Sequence, residues 1–261
     1  MNDKTTNSRG FHTQTISLHS QEIEAASYSL ENGKQFLIAT PNGRTRVWGE
    51  RFFEIEPELI EWIGRLEEDD ILWDVGASIG HFSVFAAMDS NCEVYAFEPD
   101  AQNYSMVDLN RYLNRQELGG KLVCLPFGLS SEDGIATFST SIYGAGEHTK
   151  HVSKPPENHN TDSYISTCLL HSPQTAVELG CIPPTAIKID VDGSEWPVVE
   201  SLDILWPAIR TCFIELPIDS EKEFKLFFKK HGLLPTESHE VKRMRGGIYD
   251  EIRNYVFSRE L

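Results

Sequence analysis

The stretch ILWDVGASIGHFSVFAA, residues 71–87, decides the fold of this chain. Its first five residues are apolar except for Asp74 and lead into a turn, which is typical of a short buried strand. Gly76 and Gly80 bracket the turn, and residues 81–88 place apolar side chains on one helical face. In a strand, glycine turn and helix, the amides of the helix N-terminus meet an anion or a polar ligand group. We therefore predict an α/β unit whose glycines let a ligand approach the backbone.

An acidic residue follows the next predicted strand. Residues 93–97 (EVYAF) predict a second buried strand, which ends in Glu98. A carboxylate at this tip is placed to accept hydrogen bonds from the hydroxyls of a ribose. The turn is not the dinucleotide pattern G-x-G-x-x-G, because it carries only two glycines. A glycine turn alone would fit any α/β unit with a solvated Glu, but the turn together with Glu98 indicates a nucleoside-containing cofactor.

Three motifs of the chain resemble the FkbM-type methyltransferase family in sequence and in order. They are DVGASIG at residues 74–80, VYAFEPD at residues 94–100 and IKIDVDGSE at residues 187–195. The resemblance extends from about residue 62 to residue 257. Members of this family use S-adenosylmethionine on a Rossmann-like fold, so the resemblance implies that cofactor.

The resemblance also implies which residues hold S-adenosylmethionine. Asp74, Gly76 and Gly80 would line the methionine end of the cofactor, and Glu98 would hold its ribose. The full implied set is Asp74, Gly76, Ala77, Ser78, Gly80, Glu98 and Pro99. Two departures from the family pattern stand out. Ser78 replaces the usual Asn, and the leucine–aspartate pair upstream of the fourth strand is not evident in residues 165–175.

Composition limits the classes of function. The chain has 261 residues, of which 40% are hydrophobic and 24% charged, as expected of a globular protein. Its formal net charge of −17 argues against nucleic-acid binding and against anionic membranes. Five cysteines without a C-x-x-C pair are typical of reduced cytosolic thiols. No secretory signal and no apolar run of membrane-spanning length is visible, so we expect a cytoplasmic protein.

The chain divides into three predicted segments. Residues 1–15 form a polar, disordered tail, residues 16–68 a small N-terminal β/α extension, and residues 69–261 a Rossmann-like domain. For that domain, the resemblance implies a class I methyltransferase sandwich, with a mostly parallel seven-stranded sheet and an antiparallel terminal hairpin. Residues 139–166 are rich in Gly, Pro, Asn and His, and they predict either a lid over the acceptor pocket or a plain disordered insertion.

Within these segments, local patterns predict individual elements. The extension has a strand-like pattern up to residue 55, which includes residues 45–49, and a helix over residues 57–66. Asp100 caps the next predicted helix, and a further helix spans residues 194–205. A helix over residues 220–231 begins with a capping box of Ser220 and Glu223.

Four acids, Asp74, Glu98, Asp190 and Glu215, each end a predicted strand. Because the carboxyl ends of parallel strands meet at one edge of the sheet, these side chains should face one rim. We assign Asp190 and Glu215 as catalytic candidates, since methyl transfer needs alignment and a group that takes a proton. Strand-ending acids also cap turns and helices, and we favour that role for Asp192 and Ser194.

A magnesium site formed by Asp190, Asp192, Glu195 and Glu215 is the alternative use of these carboxylates. The metal-dependent relatives carry an Asp-Asn pair where this chain has Glu215-Leu216-Pro217, so we predict no metal site.

Basic residues near the rim carry further hypotheses. Lys188 lies in a strand covered on both faces, so it either pairs with Glu215 or Asp74 or extends its ammonium to the sheet edge. A general base could come from one of four histidines, although solvated histidines are commoner; they are His148, His151, His159 and His171. The basic cluster at residues 242–247 either holds an anionic substrate group or is a solvated turn.

Taken together, the sequence predicts an S-adenosylmethionine-dependent methyltransferase that acts on an oxygen of a small molecule or a sugar. Two rival functions stay open. One is a nucleotide-dependent oxidoreductase, and the other is a catalytically silent cofactor-binding module of the same fold. The sequence does not specify the acceptor or the oligomeric state.

Overall fold

The elements of the chain come from a computed structural model that describes residues 11–18, 21–140, 143–146, 151–153, 164–242 and 248–259. The strands are β1 Phe11–Leu18, β2 Gln21–Ser29, β3 Gln35–Ala39, β4 Ile71–Val75, β5 Glu93–Phe97, β6 Leu122–Leu125, β7 Gly128–Leu129, β8 Gly134–Thr140, β9 His151–Ser153, β10 Tyr164–His171, β11 Ala186–Ile189, β12 Thr211–Pro217, β13 Leu234–Lys242 and β14 Ile248–Ser258. The helices are α1 Gly43–Glu50, α2 Phe52–Ile55, α3 Pro57–Ile63, α4 His81–Asp89, α5 Ala101–Leu113, α6 Arg115–Leu118, α7 Pro173–Glu178, α8 Glu195–Ser201 and α9 Glu221–Lys230.

The central sheet has seven strands in the order β13-β14-β12-β11-β4-β5-β6. The strands β12, β11, β4, β5 and β6 run parallel to one another. At the other edge, β14 pairs antiparallel with β12 and with β13. This arrangement confirms the predicted Rossmann-like sandwich, with its mostly parallel sheet and its antiparallel terminal hairpin.

Alternation along β4 divides the core into two layers. Leu72 packs into the cluster formed with α4, α5 and the N-terminal extension, whereas Trp73 packs into the opposite cluster with α8 and α9. Successive side chains of a strand point to opposite faces, so a strand that is apolar at both positions must be covered on both sides. The buried run predicted from the sequence therefore becomes the middle of the sheet.

Buried asparagines join the N-terminal extension to the domain. The strands β1, β2 and β3 form an antiparallel sheet, and β3 lies against α4 and α5. Asn110 of α5 is fully buried; its Oδ1 accepts the amide of Ala39 at 2.7 Å and its Nδ2 donates to the carbonyl of Ile79 at 2.8 Å. One side chain thus connects the extension to the glycine turn.

One predicted strand of the extension is a helix. Residues 45–49 lie in α1, because the side chain of Asn42 accepts the amides of Arg44 and Thr45, while Thr45 Oγ1 accepts the amide of Asn42. This capping box satisfies free amides of the first turn and begins a helix where the sequence suggested a turn before a strand. Residues 52–55, also predicted as strand-like, form the short helix α2.

Two other predictions about helix ends were wrong. Ser220 makes no side-chain cap for α9, because it lies in a short 3-10 turn and its Oγ donates to the carbonyl of Pro217 at 2.7 Å. The helix predicted over residues 194–205 ends at Ser201, since the amide of Leu205 turns back to Leu202 at 2.7 Å. In contrast, Asp100 caps α5 as predicted.

A second, smaller sheet follows β6 in the order β7-β10-β8-β9. This sheet packs against the end of β5. Gly128 of β7 lies so close to Pro99 that an added Cβ would be 3.1 Å from it, and 2.9 Å from Leu170 of β10. The segment 143–146 is held by the extension, with Gly146 O accepting from Arg44 at 3.1 Å. Most of the predicted lid, with His148 and His159 and the side chain of His151, lies outside the described residues, and its closure stays a prediction.

None of the helices within the described part of the chain combines the length and the apolar character needed to span a bilayer.

The connection through Asn110 gives a stability prediction. We expect Asn110→Leu to lower the free energy of unfolding by roughly 2–5 kcal/mol, because two buried backbone groups would each lose a partner at about 1–3 kcal/mol. Urea denaturation measures this loss. The control is Asp108→Ala on the exposed side of α5, which should change stability by about 0.5 kcal/mol or less. Equal effects of the two substitutions would contradict the role of Asn110.

Candidate functional site

The glycine turn after β4 has three residues with left-handed backbone. The φ angles are +82° at Gly76, +52° at Ser78 and +74° at Gly80. Glycine adopts such angles freely, whereas Ser does so at some cost and Asn is the better-tolerated alternative. This geometry gives a physical reason for the Asn that the family usually has in place of Ser78.

The two glycines are required by contacts inside the protein. A Cβ at Gly76 would lie 1.9 Å from the carbonyl oxygen of Asp190, and a Cβ at Gly80 would lie 2.9 Å from Val107. The sequence argument assigned these glycines to close approach of a ligand. The structure adds a second reason, because the missing side chains also leave room for the backbone after β11 and for α5.

Glu98 follows β5 and holds the glycine turn by hydrogen bonds. Its Oε2 accepts the amide of Ser78 at 2.7 Å, and its Oε1 accepts the amide of Asp100 at 2.9 Å. Glu98 is 5% exposed, so it does not extend into solvent. The carboxylate therefore fixes the glycine turn to the start of α5.

Lys188 is the electrostatic centre of the site. Its Nζ donates to Gly76 O at 2.7 Å and lies 3.1 Å from Asp74 Oδ1 and 3.5 Å from Asp190 Oδ2. Asp74 Oδ2 also accepts from Ser83 Oγ at 2.5 Å. Lys188 is 4% exposed, and these partners confirm the predicted pairing with Asp74 rather than with Glu215.

The ion pairs keep Lys188 charged. Burial alone lowers the pKa of its ammonium, but the carboxylates of Asp74, Asp190 and Glu56 outweigh burial and raise that pKa above its usual value. Backbone pairing explains why Lys188 and Asp74 are close together, because the two residues lie opposite each other in the register of β11 and β4. A charged lysine in the middle of a sheet is retained because it is paired and hydrogen-bonded.

Two half-buried glutamates face this ion pair. Burial, followed by the charges of Asp190 and Glu56, raises the pKa of Glu215 to about 9. Burial and the charge of Asp190 likewise raise the pKa of Glu56 to about 8, although Lys188 opposes the shift. Burial and like charge therefore favour the protonated form of each carboxyl group. Such perturbed groups cluster at functional sites.

Sequence reasoning missed Glu56. The residue stands before Pro57 at the start of α3, in the extension rather than in a family motif. A signal was available, since the helix before the first strand of this fold runs back along the sheet and so begins at the carboxyl rim. The Glu-Pro pair at that helix start could have been placed there on topology alone.

The predicted site residues fall into two groups in the structure. Asp74 and Asp190 lie beside Lys188 and Glu215 interacts with the charge of Asp190, whereas Glu98 is bound to the amides on the other side of the glycine turn. Gly76, Ala77, Ser78, Gly80 and Pro99 form the turn and the adjoining strand end. The side chain of Asp190 is 34% exposed, whereas that of Asp74 is 3% exposed.

Residues given other predicted roles lie differently. Ser194 precedes α8 but makes no side-chain cap, and Glu195 instead accepts the amide of Gly193 at 2.9 Å. His171 lies 3.5 Å from Asp133 in the smaller sheet. Within the described ranges, no three His, Cys, Asp or Glu side chains are arranged to hold a metal ion. The basic cluster at residues 242–247 lies outside those ranges except for Lys242.

Comparison with protein families identifies the chain. The profile described as the methyltransferase FkbM domain matches residues 74–257, which is more than half of the chain and includes all three motifs. The chain belongs to the FkbM methyltransferase family. The family match begins at Asp74, within β4, and therefore leaves out Glu56.

A curated relative is also a methyltransferase. The hexuronic acid methyltransferase AglP of Haloferax volcanii is 30% identical over 172 residues, which span 65% of this chain and 66% of that protein. The aligned stretch is just short of two thirds of the length of AglP. The match therefore does not assign the activity of AglP to this chain.

Solved structures resemble the fold at low identity. Precorrin-6y C5,15-methyltransferase from Geobacter metallireducens GS-15 is 10% identical with a TM-score of 0.46, and the match covers 79% of this chain and 88% of that one. TrmK of M. capricolum, in complex with S-adenosyl-homocysteine, is 11% identical with a TM-score of 0.48, covering 78% and 68%. Both likenesses are too distant to support a conclusion about function.

Removing the central ammonium of this FkbM-family site should be costly. We expect Lys188→Met to lower the free energy of unfolding by about 3–5 kcal/mol, because it leaves Asp74 buried without its partner. Chemical denaturation checks this value. The control is Lys121→Met, since Lys121 pairs with an exposed Glu68 and should contribute about 0–1 kcal/mol. If Lys188→Met lowered the free energy of unfolding no more than Lys121→Met, the buried pair would contribute little to stability.

The raised pKa of Glu215 predicts a pH dependence of stability. The carboxyl has a pKa of about 9 in the folded protein and about 4.5 when unfolded, so the folded state binds the proton more tightly. Its contribution to stability is complete below pH about 4.5 and is lost as the pH rises towards 9. We therefore expect Glu215→Gln to become progressively more stable than the wild type between pH 5 and 9. Thermal unfolding at a series of pH values measures this difference.

The exposed helical residue Glu223 provides the matched control for Glu215. Glu223→Gln should show a difference from the wild type that does not change over this pH range. A constant difference for Glu215→Gln would contradict the prediction.

Proposed function

We propose that this protein is an S-adenosylmethionine-dependent methyltransferase that methylates an oxygen of a sugar or a related small molecule. The observation that carries the proposal is the acid-rich rim around Lys188, which adjoins the glycine turn in a chain of the FkbM methyltransferase family. S-adenosylmethionine supplies an activated methyl group on a cationic sulfur and leaves as a neutral thioether.

The residues present fit that cofactor. The rim sets the single ammonium of Lys188 against the carboxyl groups of Asp74, Asp190, Glu56 and Glu215, a balance that favours a cationic ligand group. We assign the cofactor to the turn and the strand end beside it. The proposed cofactor-binding residues are Asp74, Gly76, Ala77, Ser78, Gly80, Glu98 and Pro99.

In this assignment, Asp74 and Glu98 act by holding the backbone. Asp74 orients Lys188, which binds the carbonyl of Gly76, and Glu98 binds the amide of Ser78. The turn is thus fixed from both sides before any ligand arrives. Preorganisation of this kind reduces the conformational entropy lost on binding.

The proposed catalytic residues are Asp190 and Glu215. Asp190 follows β11 directly and is partly exposed, so it can accept a hydrogen bond from an acceptor hydroxyl. Glu215 lies in the adjacent strand β12, and the charge of Asp190 raises its pKa, so the two carboxyl groups can share the proton that leaves that hydroxyl. Alignment of the acceptor oxygen with the methyl carbon contributes the rest of the rate acceleration, because the methyl group is already activated.

A sugar acceptor is supported by the relative from Haloferax volcanii, whose name specifies a hexuronic acid as its acceptor. Such a sugar offers two kinds of oxygen, hydroxyl and carboxylate. The acidic rim favours a hydroxyl, since a carboxylate would be repelled by the neighbouring charges, whereas a hydroxyl delivers its proton to them. We therefore propose O-methylation of a sugar hydroxyl.

The test is turnover of S-adenosylmethionine to S-adenosylhomocysteine with glucuronic acid, galacturonic acid and their neutral hexoses as acceptors. We expect Asp190→Asn to reduce kcat by about 10²–10⁴-fold, the usual loss of a proton-accepting group. Asp203→Asn, on the exposed loop after α8, is the control and should retain full activity.

Three results would contradict parts of this proposal. Binding of the donor without turnover on any acceptor would favour the silent binding module. Binding of NAD instead of the donor would favour the oxidoreductase. Full activity of Asp190→Asn would remove Asp190 from catalysis.

A further inference from the structure

Polar residues stand at one level on four adjacent strands of the rim. The strands β11 and β12 pair in parallel register up to the residues just before Asp190 and Glu215, so the backbones of these two acids lie side by side. Glu215 pairs with Asn254 of β14, and Asn254 pairs with His239 of β13. We call these four residues the polar row.

Helix α3 of the N-terminal extension covers the face of the sheet on which Glu215 lies. Trp62 of α3 packs on Phe213 of β12, with ring centroids 5.7 Å apart. Because alternate residues of a strand share a face, Glu215 is on the same face as Phe213, one step nearer the rim. Glu58 precedes Trp62 by four residues, so it lies one turn earlier on the same side of the helix. Glu58 is thereby placed at the polar row.

A hydrogen bond from Asn254 fixes the carboxylate of Glu58 there. The side chain of Asn254 is buried, and its Nδ2 donates to Oε1 of Glu58 at 3.0 Å. A buried amide is costly unless it is hydrogen-bonded, so this contact is strongly favoured. Glu58 is only half-buried, and an ionised carboxylate accepts several hydrogen bonds. Glu58 can therefore take a further donor while Asn254 holds it.

The order of the strands leaves this part of the rim to the acceptor. The cofactor residues proposed above lie at the ends of β4 and β5. The polar row extends from Asp190 in the opposite direction, across β12 and β14 to β13. Asp190 thus stands between the proposed cofactor site and the rest of the row. An acceptor whose reacting hydroxyl faces Asp190 therefore lies over Glu215 and Glu58.

We propose that Glu58 belongs to the acceptor site, where its carboxylate accepts a hydrogen bond from a sugar hydroxyl next to the one that is methylated, and that Asn254 is the positioning residue that holds it there. This inference rests on the function proposed above and names the part of the acceptor that is recognised. A sugar ring presents neighbouring hydroxyl groups, and these donate to carboxylates, whereas a carboxylate of the acceptor would be repelled.

Steady-state kinetics with a sugar that the wild type methylates tests the role of Glu58. Glu58→Gln keeps the size of the side chain and an oxygen for Asn254, but it removes the charge. We expect the KM of the acceptor to rise roughly 10- to 100-fold, the loss expected for a hydrogen bond to a charged group. The Kd of S-adenosylmethionine and kcat should not change, because the contact is made equally in the bound acceptor and in the transition state.

Glu61→Gln is the matched control. It makes the same chemical change on the exposed side of α3 and should leave the KM of the acceptor at the wild-type value.

Analogues of the sugar that lack one hydroxyl supply a second test. With the wild type, the analogue without the hydroxyl that donates to Glu58 should have a KM raised to the same extent. Glu58→Gln should raise the KM of that analogue no further, because the two changes remove the same contact.

An exchange of the two side chains separates recognition from structure. Asn254→Asp removes the donor to Glu58 and adds a like charge, so it should lower the thermal stability and raise the KM of the acceptor. In the double variant of Glu58→Gln and Asn254→Asp, an amide again faces a carboxylate. Its hydrogen bond and its stability should return, while the KM stays high. A purely structural role for Glu58 predicts that the KM recovers together with the stability.

The outcomes distinguish this inference from the proposed function. A wild-type KM in Glu58→Gln, or its recovery in the double variant, would overturn the inference and leave the methyltransferase activity intact. A KM that rises equally in Glu61→Gln would also overturn it. A wild type that binds the donor but methylates no sugar would contradict the proposed function and the inference together.

Discussion

The buried ion pair between Lys188 and Asp74 is the interaction on which the rest of the site depends. It lies between two adjacent parallel strands in the centre of the sheet, where an unpaired charge would be very costly. The same ammonium holds the carbonyl of Gly76 and reaches Asp190. The side chain of Lys188 therefore holds the glycine turn at Gly76 and neutralises part of the negative charge of Asp74 and Asp190.

The glycine turn has little freedom once this pair is in place. Lys188 holds it from one side and Glu98 from the other, and Gly76 packs against the backbone of Asp190. Packing and hydrogen bonding thus shape the turn in advance of any ligand. The glycines make these backbone contacts possible, and their role in ligand approach stays a prediction.

The N-terminal extension is part of the same structural unit as the domain. Phe36 and Phe52 enter the core cluster that includes Phe85 of α4, and Asn110 connects β3 to the glycine turn. At its far end, the extension delivers Glu56 to the acidic rim. The rim is therefore assembled from three separate parts of the chain, and its proton affinity depends on all of them.

The sequence by itself determined the buried central strands, the glycine turn, the cap at Asp100 and the family. These features depend on local patterns: an apolar run, a pair of glycines and a capping side chain act over a few residues. The sequence also placed Asp190 and Glu215 at strand ends. It could not decide whether Lys188 pairs with Asp74 or with Glu215, because strand register is a property of pairing between distant segments.

Only the tertiary structure decided the remaining features. The helix at residues 45–49 is an exception, because Asn42 and Thr45 cap each other and this local signal was present in the sequence. Glu56 joined the site because helix α3 returns along the sheet, and its pKa rose because burial and several distant carboxylates act on it together. Electrostatic fields of that kind depend on three-dimensional distances, so the chemistry of the rim emerges only when the separate segments are folded against one another.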